Sequence, residues 1–161
     1  MGLIMEDEAF SELVNEKLFD MGRTSDLLWI QLGEKILVKN YKGFEVQKGS
    51  YAIHVQCPWR IVCHGELVLG NMDIYRPKDG IVESEFDWSE IGNSVFDEKL
   101  EKVKIELLPV KIKDLILDDI GTLKLICDDE FIFEAIPNSS GRIEFWRFIN
   151  NISKKHVVIF E

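Results

Sequence analysis

Apolar and polar side chains alternate on both sides of Pro58. A period of two is typical of a β-strand with one buried face, so Tyr51, Ile53 and Val55 are predicted to face the core, as is Trp59 after the proline. Proline has no N–H group to donate to a sheet and keeps the residue before it extended. The sequence therefore predicts two strands that meet at a corner at Pro58.

Further strands are predicted wherever an apolar run lies between turn residues. The sequence Gly33-Glu34-Lys35 is predicted to be the loop of a hairpin, and His64-Gly65-Glu66 a tight turn. Residues 143–149 fit either a strand or a short helix. The remaining predicted strands cover residues 27–32, 36–41, 59–63, 67–69, 72–75, 110–117, 122–127, 130–136 and 157–160.

Two helices are predicted from apolar residues at helical spacing. The first covers residues 5–19, with Gly22 as its stop. The second begins after Ser94, where Asp97 completes a capping-box pattern, and ends before Pro109. Short connections favour antiparallel pairing. The predicted fold class is α+β: a predominantly antiparallel, curled sheet of about eight strands with two flanking helices, in a single domain over residues 1–161.

Four segments resemble a group of small bacterial proteins that share a domain of unknown function. They are HVQCPWRI at residues 54–61, LLWIQLG at 27–33, FDWSEIGNSVFDEK at 86–99 and EFWRFI at 144–149. The likeness extends over most of the chain. It implies a single domain, and it implies no catalytic residues because the group is uncharacterised.

The charge of the chain limits its choice of partners. With 19 Lys and Arg against 29 Asp and Glu, the formal net charge is −10. A strongly negative protein is repelled by nucleic acid and by anionic membranes, so neither is expected as a partner. A basic protein suits this charge better.

The chain is expected to be cytosolic. Its first residues, MGLIMEDEAF, lack the basic start and apolar run of a secretory signal, and no later run has the length of a membrane helix. Three cysteines, an odd number, predict reduced thiols packed as small apolar groups rather than a disulfide framework.

One candidate binding surface lies on the predicted outer face of the central strands. If the hairpins keep their register, it contains His54, Gln56, Arg60, Asp73 and Tyr75. The same stretch holds the cluster His54, Cys57, Cys63 and His64, but its spacing matches no familiar zinc site. We therefore predict no metal, no cofactor and no catalytic residue.

A second candidate surface is the most acidic part of the chain, residues 79–101. Eight acids there face only Lys99. The residues expected to face a partner are Glu83, Glu85, Asp87, Trp88, Asp97 and Glu98. Trp88 is predicted to be an exposed anchor within an acidic loop, an arrangement typical of interface hot spots. Trp29, Trp59 and Trp146 are instead predicted to be core residues.

The leading functional hypothesis is a cytosolic, non-enzymatic interaction protein that binds a basic protein through this acidic region. An immunity or antidote protein that neutralises a basic toxin would be one form of it. The alternative is a small-molecule-binding domain or an unrecognised enzyme with a pocket near His54, Gln56, Arg60 and Asp73, which requires these side chains to converge. A homo-oligomer formed through exposed strand edges is a third possibility.

Overall fold

The computed structural model of the chain describes residues 10–141 and 143–160. Within these ranges there are ten strands, β1 to β10, and one complete α-helix, α1 (Val95–Glu106). The strands are β1 Lys17–Thr24, β2 Leu27–Lys39, β3 Glu45–Val55, β4 Trp59–Cys63, β5 Glu66–Gly70, β6 Val110–Leu117, β7 Leu123–Cys127, β8 Phe131–Ala135, β9 Glu144–Asn150 and β10 Lys155–Phe160. Single turns of 3₁₀ helix cover Asn71–Tyr75, Glu83–Glu85 and Asp128–Glu130.

All ten strands belong to one antiparallel sheet in the order β10-β9-β3-β2-β1-β6-β7-β8-β4-β5. The sheet is open, with β10 and β5 at its edges. Its two halves are joined between β1 and β6 by only two residue pairs, Lys17 with Lys111 and Leu18 with Val110. This short junction is the place where the sheet can bend most sharply.

The sheet folds back on itself so that its two halves enclose the core. In a flat sheet, β9 and β6 would lie four strand spacings apart, or roughly 20 Å. Instead Trp146 Nε1 on β9 donates to the carbonyl of Gly121, in the turn after β6, over 2.8 Å. The sharp connection at Pro58 likewise links β3 in one half to β4 in the other.

Aromatic side chains fill the space between the halves. Phe10 lies 5.4 Å from Trp146 and 5.3 Å from Phe148 between ring centroids. On the other side of the core, the edge of Phe96 on α1 meets Trp59, with centroids 5.8 Å apart. Because Phe96 is fully buried, α1 is fixed to the sheet at its first turn.

The coarse prediction of an antiparallel α+β fold is confirmed, together with several of its elements. The alternation around Pro58 corresponds to β3 and β4, and His64 and Gly65 form the turn into β5 with positive φ values. The helix after Ser94 and the strands between residues 110 and 136 are also present. The ambiguous residues 143–149 form strand β9.

The predicted numbers of strands and helices are wrong. Within residues 10–141 and 143–160 there are ten strands rather than about eight, and one complete α-helix rather than two. Part of the helix predicted at residues 5–19 lies outside the described residues. Within them, Phe10 and Ser11 are helical, as predicted. Lys17–Phe19 instead belong to β1, where a bulge between Leu18 and Asp20 interrupts the alternation that would have revealed a strand.

Two further predictions are wrong because the same short sequence pattern occurs in more than one kind of local structure. Gly33 does not turn the chain: it adopts a φ of 81° within a bulge, and β2 continues through it to Lys39. Residues 72–75 form a 3₁₀ turn rather than a strand. There the Asp73 carboxylate accepts a hydrogen bond from Gly70 N, a side-chain contact that favours the turn over a sheet.

The packing of Trp29 on Gly22 provides a test of the fold. A Cβ at residue 22 would lie 2.2 Å from Trp29 Cζ2, so Gly22→Ala forces the indole away from β1. We expect the free energy of unfolding, measured by urea titration, to fall by about 1–3 kcal/mol. Gly70→Ala is the matched control, since its Cβ meets nothing closer than 3.7 Å. Equal stabilities for the two variants would contradict this packing.

Candidate protein-binding surface

The acidic segment is a loop whose two ends are joined at its base. Pro77 and Ser94 form an isolated β-bridge. Beside this bridge, Lys78 N donates to Asn93 O over 3.0 Å and Val95 N donates to Arg76 O over 2.8 Å. The loop therefore leaves the body after the 3₁₀ turn and returns directly into α1.

The buried side chain of Arg23 on β1 anchors this loop to the sheet. This side chain is 1% exposed, and its guanidinium donates two hydrogen bonds to the Asp97 carboxylate, over 2.9 and 2.8 Å. It also donates to the carbonyls of Trp88 (2.7 Å), Glu90 (3.0 Å) and Ser25 (2.9 Å). All five N–H groups of the guanidinium are thus used, and they fix the loop, α1 and β1 relative to one another.

Asp97 is the counter-charge of Arg23 and also completes the capping box of α1, in which Ser94 is the N-cap. Its Oδ2 accepts hydrogen bonds from Gly92 N over 2.8 Å and Ser94 N over 3.1 Å, and Asp97 N donates to Ser94 Oγ over 3.2 Å. Burial acts to raise the pKa of Asp97, but the hydrogen bonds from Arg23, Gly92 and Ser94 outweigh it and lower this pKa to about 2. Asp97 thus organises the loop from within.

A second anchor holds the middle of the loop. The edge of Tyr75 meets the Trp88 ring with centroids 5.1 Å apart, and Tyr75 Oη donates to Asp26 Oδ2 over 3.2 Å. Trp88 is half-buried and packs against the core. Burial and the neighbouring Asp26 carboxylate raise the pKa of Tyr75, so its hydroxyl stays protonated. Trp88 therefore positions the loop while exposing only part of its ring.

The outward side of the loop and of α1 is charged and partly apolar. Val82 is 60% exposed and Ile91 is 63% exposed. Hydrogen bonds from Ser89 lower the pKa of the exposed Asp87 carboxyl. We call this region the acidic surface: Val82 and Ile91 with the exposed acids Glu83, Glu85, Asp87, Glu90, Glu98 and Glu101.

Ile91 also borders a depression of about 390 Å³ that runs from the loop to β2. Glu98 and Glu101 line one side of it, and Trp29 lies at the far side, where Lys104 Nζ is 5.9 Å from the centroid of its ring. Trp29 was predicted to be a core residue. It shares the outer face of β2 with Gln31, a placement that the period of two in LLWIQL could have indicated.

The five residues of the first candidate surface do not form one site. Asp73 pairs with Arg76 over 2.9 Å, and Arg60 pairs with Glu134 over 3.2 Å. Arg60 and Asp73 line one depression of about 300 Å³, which His54, Gln56 and Tyr75 do not line. The structure therefore does not bring the five together.

His54 lies on the outer face of β3, opposite Arg147 on β9. Burial lowers the pKa of His54, and the positive charges of Arg147, His156 and Lys48 lower it further. His54 is therefore neutral at pH 7 and can donate or accept only as an imidazole.

Gln56 is exposed at the end of β3, where its backbone N–H donates to Phe145 O over 2.9 Å.

The cysteines are buried free thiols. Burial raises the pKa of Cys57 to about 11 and that of Cys127 to about 12, and it also raises the pKa of Cys63. Because the thiolate is the reactive form, these side chains are poor nucleophiles. In the part of the chain that the structure describes, no three His, Cys, Asp or Glu side chains are placed to hold a metal ion.

Comparison with known proteins leaves the surface as the basis for inferring function. No family model, curated protein or solved structure matches the chain. Among the described residues, no helix is long and apolar enough to cross a membrane. The exposed side chains and the contacts that fix them are therefore the basis for inferring function.

The Arg23–Asp97 pair predicts a specific dependence of stability on pH. Asp97→Asn leaves the buried guanidinium without its counter-charge and should lower the free energy of unfolding by about 3 kcal/mol at pH 7. Because the pKa of Asp97 is lower in the folded protein than its ordinary value of 3.8, this stabilisation is present above pH 4 and is lost as the pH falls toward about 2.

Urea titrations of both proteins between pH 7 and pH 2 check this expectation. The difference between wild type and Asp97→Asn should narrow by about 2 kcal/mol over the acidic part of the range. The neighbouring exposed Glu98→Gln serves as the control and should change stability by less than about 0.5 kcal/mol. If the difference in free energy of unfolding stays constant down to pH 2, the Arg23–Asp97 pair is not the source of the lost stability.

Proposed function

We propose that this chain is a non-enzymatic interaction protein that binds a basic protein partner through its acidic surface. The observation that carries the proposal is the exposure of Val82 and Ile91 among carboxylates on a loop that Arg23 holds in place. An immunity or antidote protein that covers the cationic site of a basic toxin is one form that this function could take.

The composition of the surface supports binding rather than solubility alone. Protein interfaces combine an apolar centre, which loses water on binding, with a polar rim. On the acidic surface, Val82 precedes Glu83 and Ile91 follows Glu90, so each exposed apolar side chain has an exposed acid beside it in the sequence.

The rigidity of the loop supports the same proposal. Binding costs less when the surface is already ordered in the free protein. Here the five hydrogen bonds of Arg23, the Tyr75–Trp88 contact and the bridge at Pro77 order the loop before any partner arrives. The acids are therefore presented in a fixed pattern.

The net charge of −10 favours rapid encounter with a cationic partner. Electrostatic steering raises association rates by about 10- to 1000-fold at low salt and weakens steeply as salt increases. An acidic interface should therefore show its charge mainly in the association rate and its apolar centre mainly in the dissociation rate. The two contributions can be separated by mutation.

Affinity capture of the tagged protein from its own cells, at low and high salt, is the experiment that tests the proposal. The expected result is a basic protein that is retained at low salt and released at high salt. The capture is repeated with the protein at its natural abundance. If no specific partner is retained in either experiment, the proposed function is contradicted.

The charge of the acidic surface is tested by Glu83→Gln, Glu85→Gln and Glu98→Gln together. With the captured partner, we expect the association rate at low salt to fall about tenfold and its salt dependence to weaken. The control neutralises Glu66, Glu106 and Asp119, three exposed acids away from the surface. Equal rates for the two triple variants would mean that only net charge matters.

The apolar centre is tested by Val82→Ser combined with Ile91→Ser. Loss of buried apolar contacts should raise the dissociation rate about tenfold or more and leave the association rate nearly unchanged. Surface plasmon resonance measures both rates. Leu67→Ser with Ile152→Ser is the matched control, because these residues are exposed to a similar extent elsewhere. An unchanged dissociation rate in the Val82/Ile91 variant would remove both residues from the interface.

A further inference from the structure

The hairpin of β2 and β3 extends beyond the rest of the sheet. β1 pairs with β2 only over residues 27–32, and β9 pairs with β3 only over residues 51–55. Beyond the bulge, Lys35–Lys39 and Glu45–Gly49 pair only with each other in the described part of the chain. We call residues 35–49 the distal ribbon. A two-stranded ribbon of this kind is marginally stable in water unless something covers it.

The distal ribbon exposes large apolar side chains on one face and at its tip. Tyr41 is 92% exposed, Phe44 66% and Leu37 65%. Val38 and Val46 pair across the strands on the face opposite Leu37, where both are half-buried. A flat protein surface would cover only one side of the tip, where Tyr41 and Phe44 are exposed. Insertion of the tip into a soft apolar medium covers it from every side.

The charge of the ribbon is opposite to that of the whole chain. Its four lysines, Lys35, Lys39, Lys42 and Lys48, face one acid, Glu45, which gives a local charge of +3 in a protein of −10. The tip lies about 17 Å beyond Lys35, at about 3.3 Å per residue. This exceeds the screening length of about 8 Å at physiological salt, so the acids of the body act only weakly on the tip.

The backbone of the tip is satisfied by the tip itself. Asn40 Oδ1 accepts hydrogen bonds from the N–H groups of Lys42 and Phe44, each over 3.0 Å. Gly43 N donates to Asn40 O, and Asn40 N donates to Phe44 O, each over 2.9 Å. These N–H groups need no water, which lowers the cost of moving the tip out of it.

We propose that the distal ribbon docks on an anionic lipid surface. Tyr41 and Phe44 enter the interfacial layer, where amphipathic and aromatic rings are favoured, while the lysines contact the phosphate and carboxylate groups of the lipids. Lys39 and Lys42, the two lysines nearest the tip, can keep their apolar stems near the interface while their ammonium groups reach the headgroups. The net charge of the chain predicts repulsion from such a surface, but the charge nearest the lipid is the local one.

This inference does not depend on the proposed function. The ribbon and the acidic surface share no residue, so a partner can occupy one while lipid occupies the other. A test on the ribbon alone can therefore fail without affecting the proposal for the acidic surface.

Co-sedimentation of the full chain with vesicles tests the proposal. Vesicles with about 30% phosphatidylserine in phosphatidylcholine should retain the protein, and pure phosphatidylcholine should retain at least about tenfold less. Tyr41→Ser with Phe44→Ser should abolish binding, and Lys39→Glu with Lys42→Glu should lower it at least about tenfold. Urea titration of each variant establishes that the body remains folded.

Lys99→Glu with Lys102→Glu is the control for net charge, because it makes the same change on exposed residues of α1 and should leave binding intact. Three outcomes overturn the proposal. The first is absence of binding to the phosphatidylserine vesicles. The second is equal loss in both lysine variants, which would assign binding to net charge. The third is self-association without vesicles that disappears in the Tyr41/Phe44 variant, which would make a second copy the occupant.

Discussion

The buried guanidinium of Arg23 is the interaction on which the acidic surface depends. A charge inside a protein must be neutralised and hydrogen-bonded, or it destabilises the fold. Arg23 meets this requirement with one carboxylate and three carbonyls that come from the turn after β1, the loop and the start of α1. The same bonds that satisfy the charge therefore also determine where Val82, Ile91 and the surrounding acids lie.

The sequence predicted those parts of the fold that depend on neighbouring residues. The alternation on each side of Pro58, the cap at Ser94 and the turn at His64 are local patterns with one common structural outcome, and all three are present. The bulges at Leu18 and Gly33 are different, because an extra residue inverts the alternation and makes a strand resemble a helix or a hairpin. The number of strands and helices could not be predicted without locating these bulges.

The candidate sites depended more heavily on distant contacts. The acidic character of residues 79–101 is visible in the sequence, and Ser94 marks Asp97 as part of a capping box, but nothing there shows that Asp97 also pairs with a buried cation. Its partner, Arg23, lies 74 residues away. No local pattern marks the pair. The distal ribbon was hidden for a related reason: net charge is a property of the whole chain, whereas a surface responds to the charge within a screening length.

The position of β3 has a consequence for how the chain acquires its structure. This strand lies between β2, which immediately precedes it, and β9, whose residues follow about a hundred positions later. Pairings between such distant segments form slowly. Until β9 has been synthesised and has docked, one side of β3 remains an open edge that carries Tyr51, Ile53 and Val55. An open edge of this kind is a template for aggregation, so the nascent chain is most vulnerable just before its last two strands are complete.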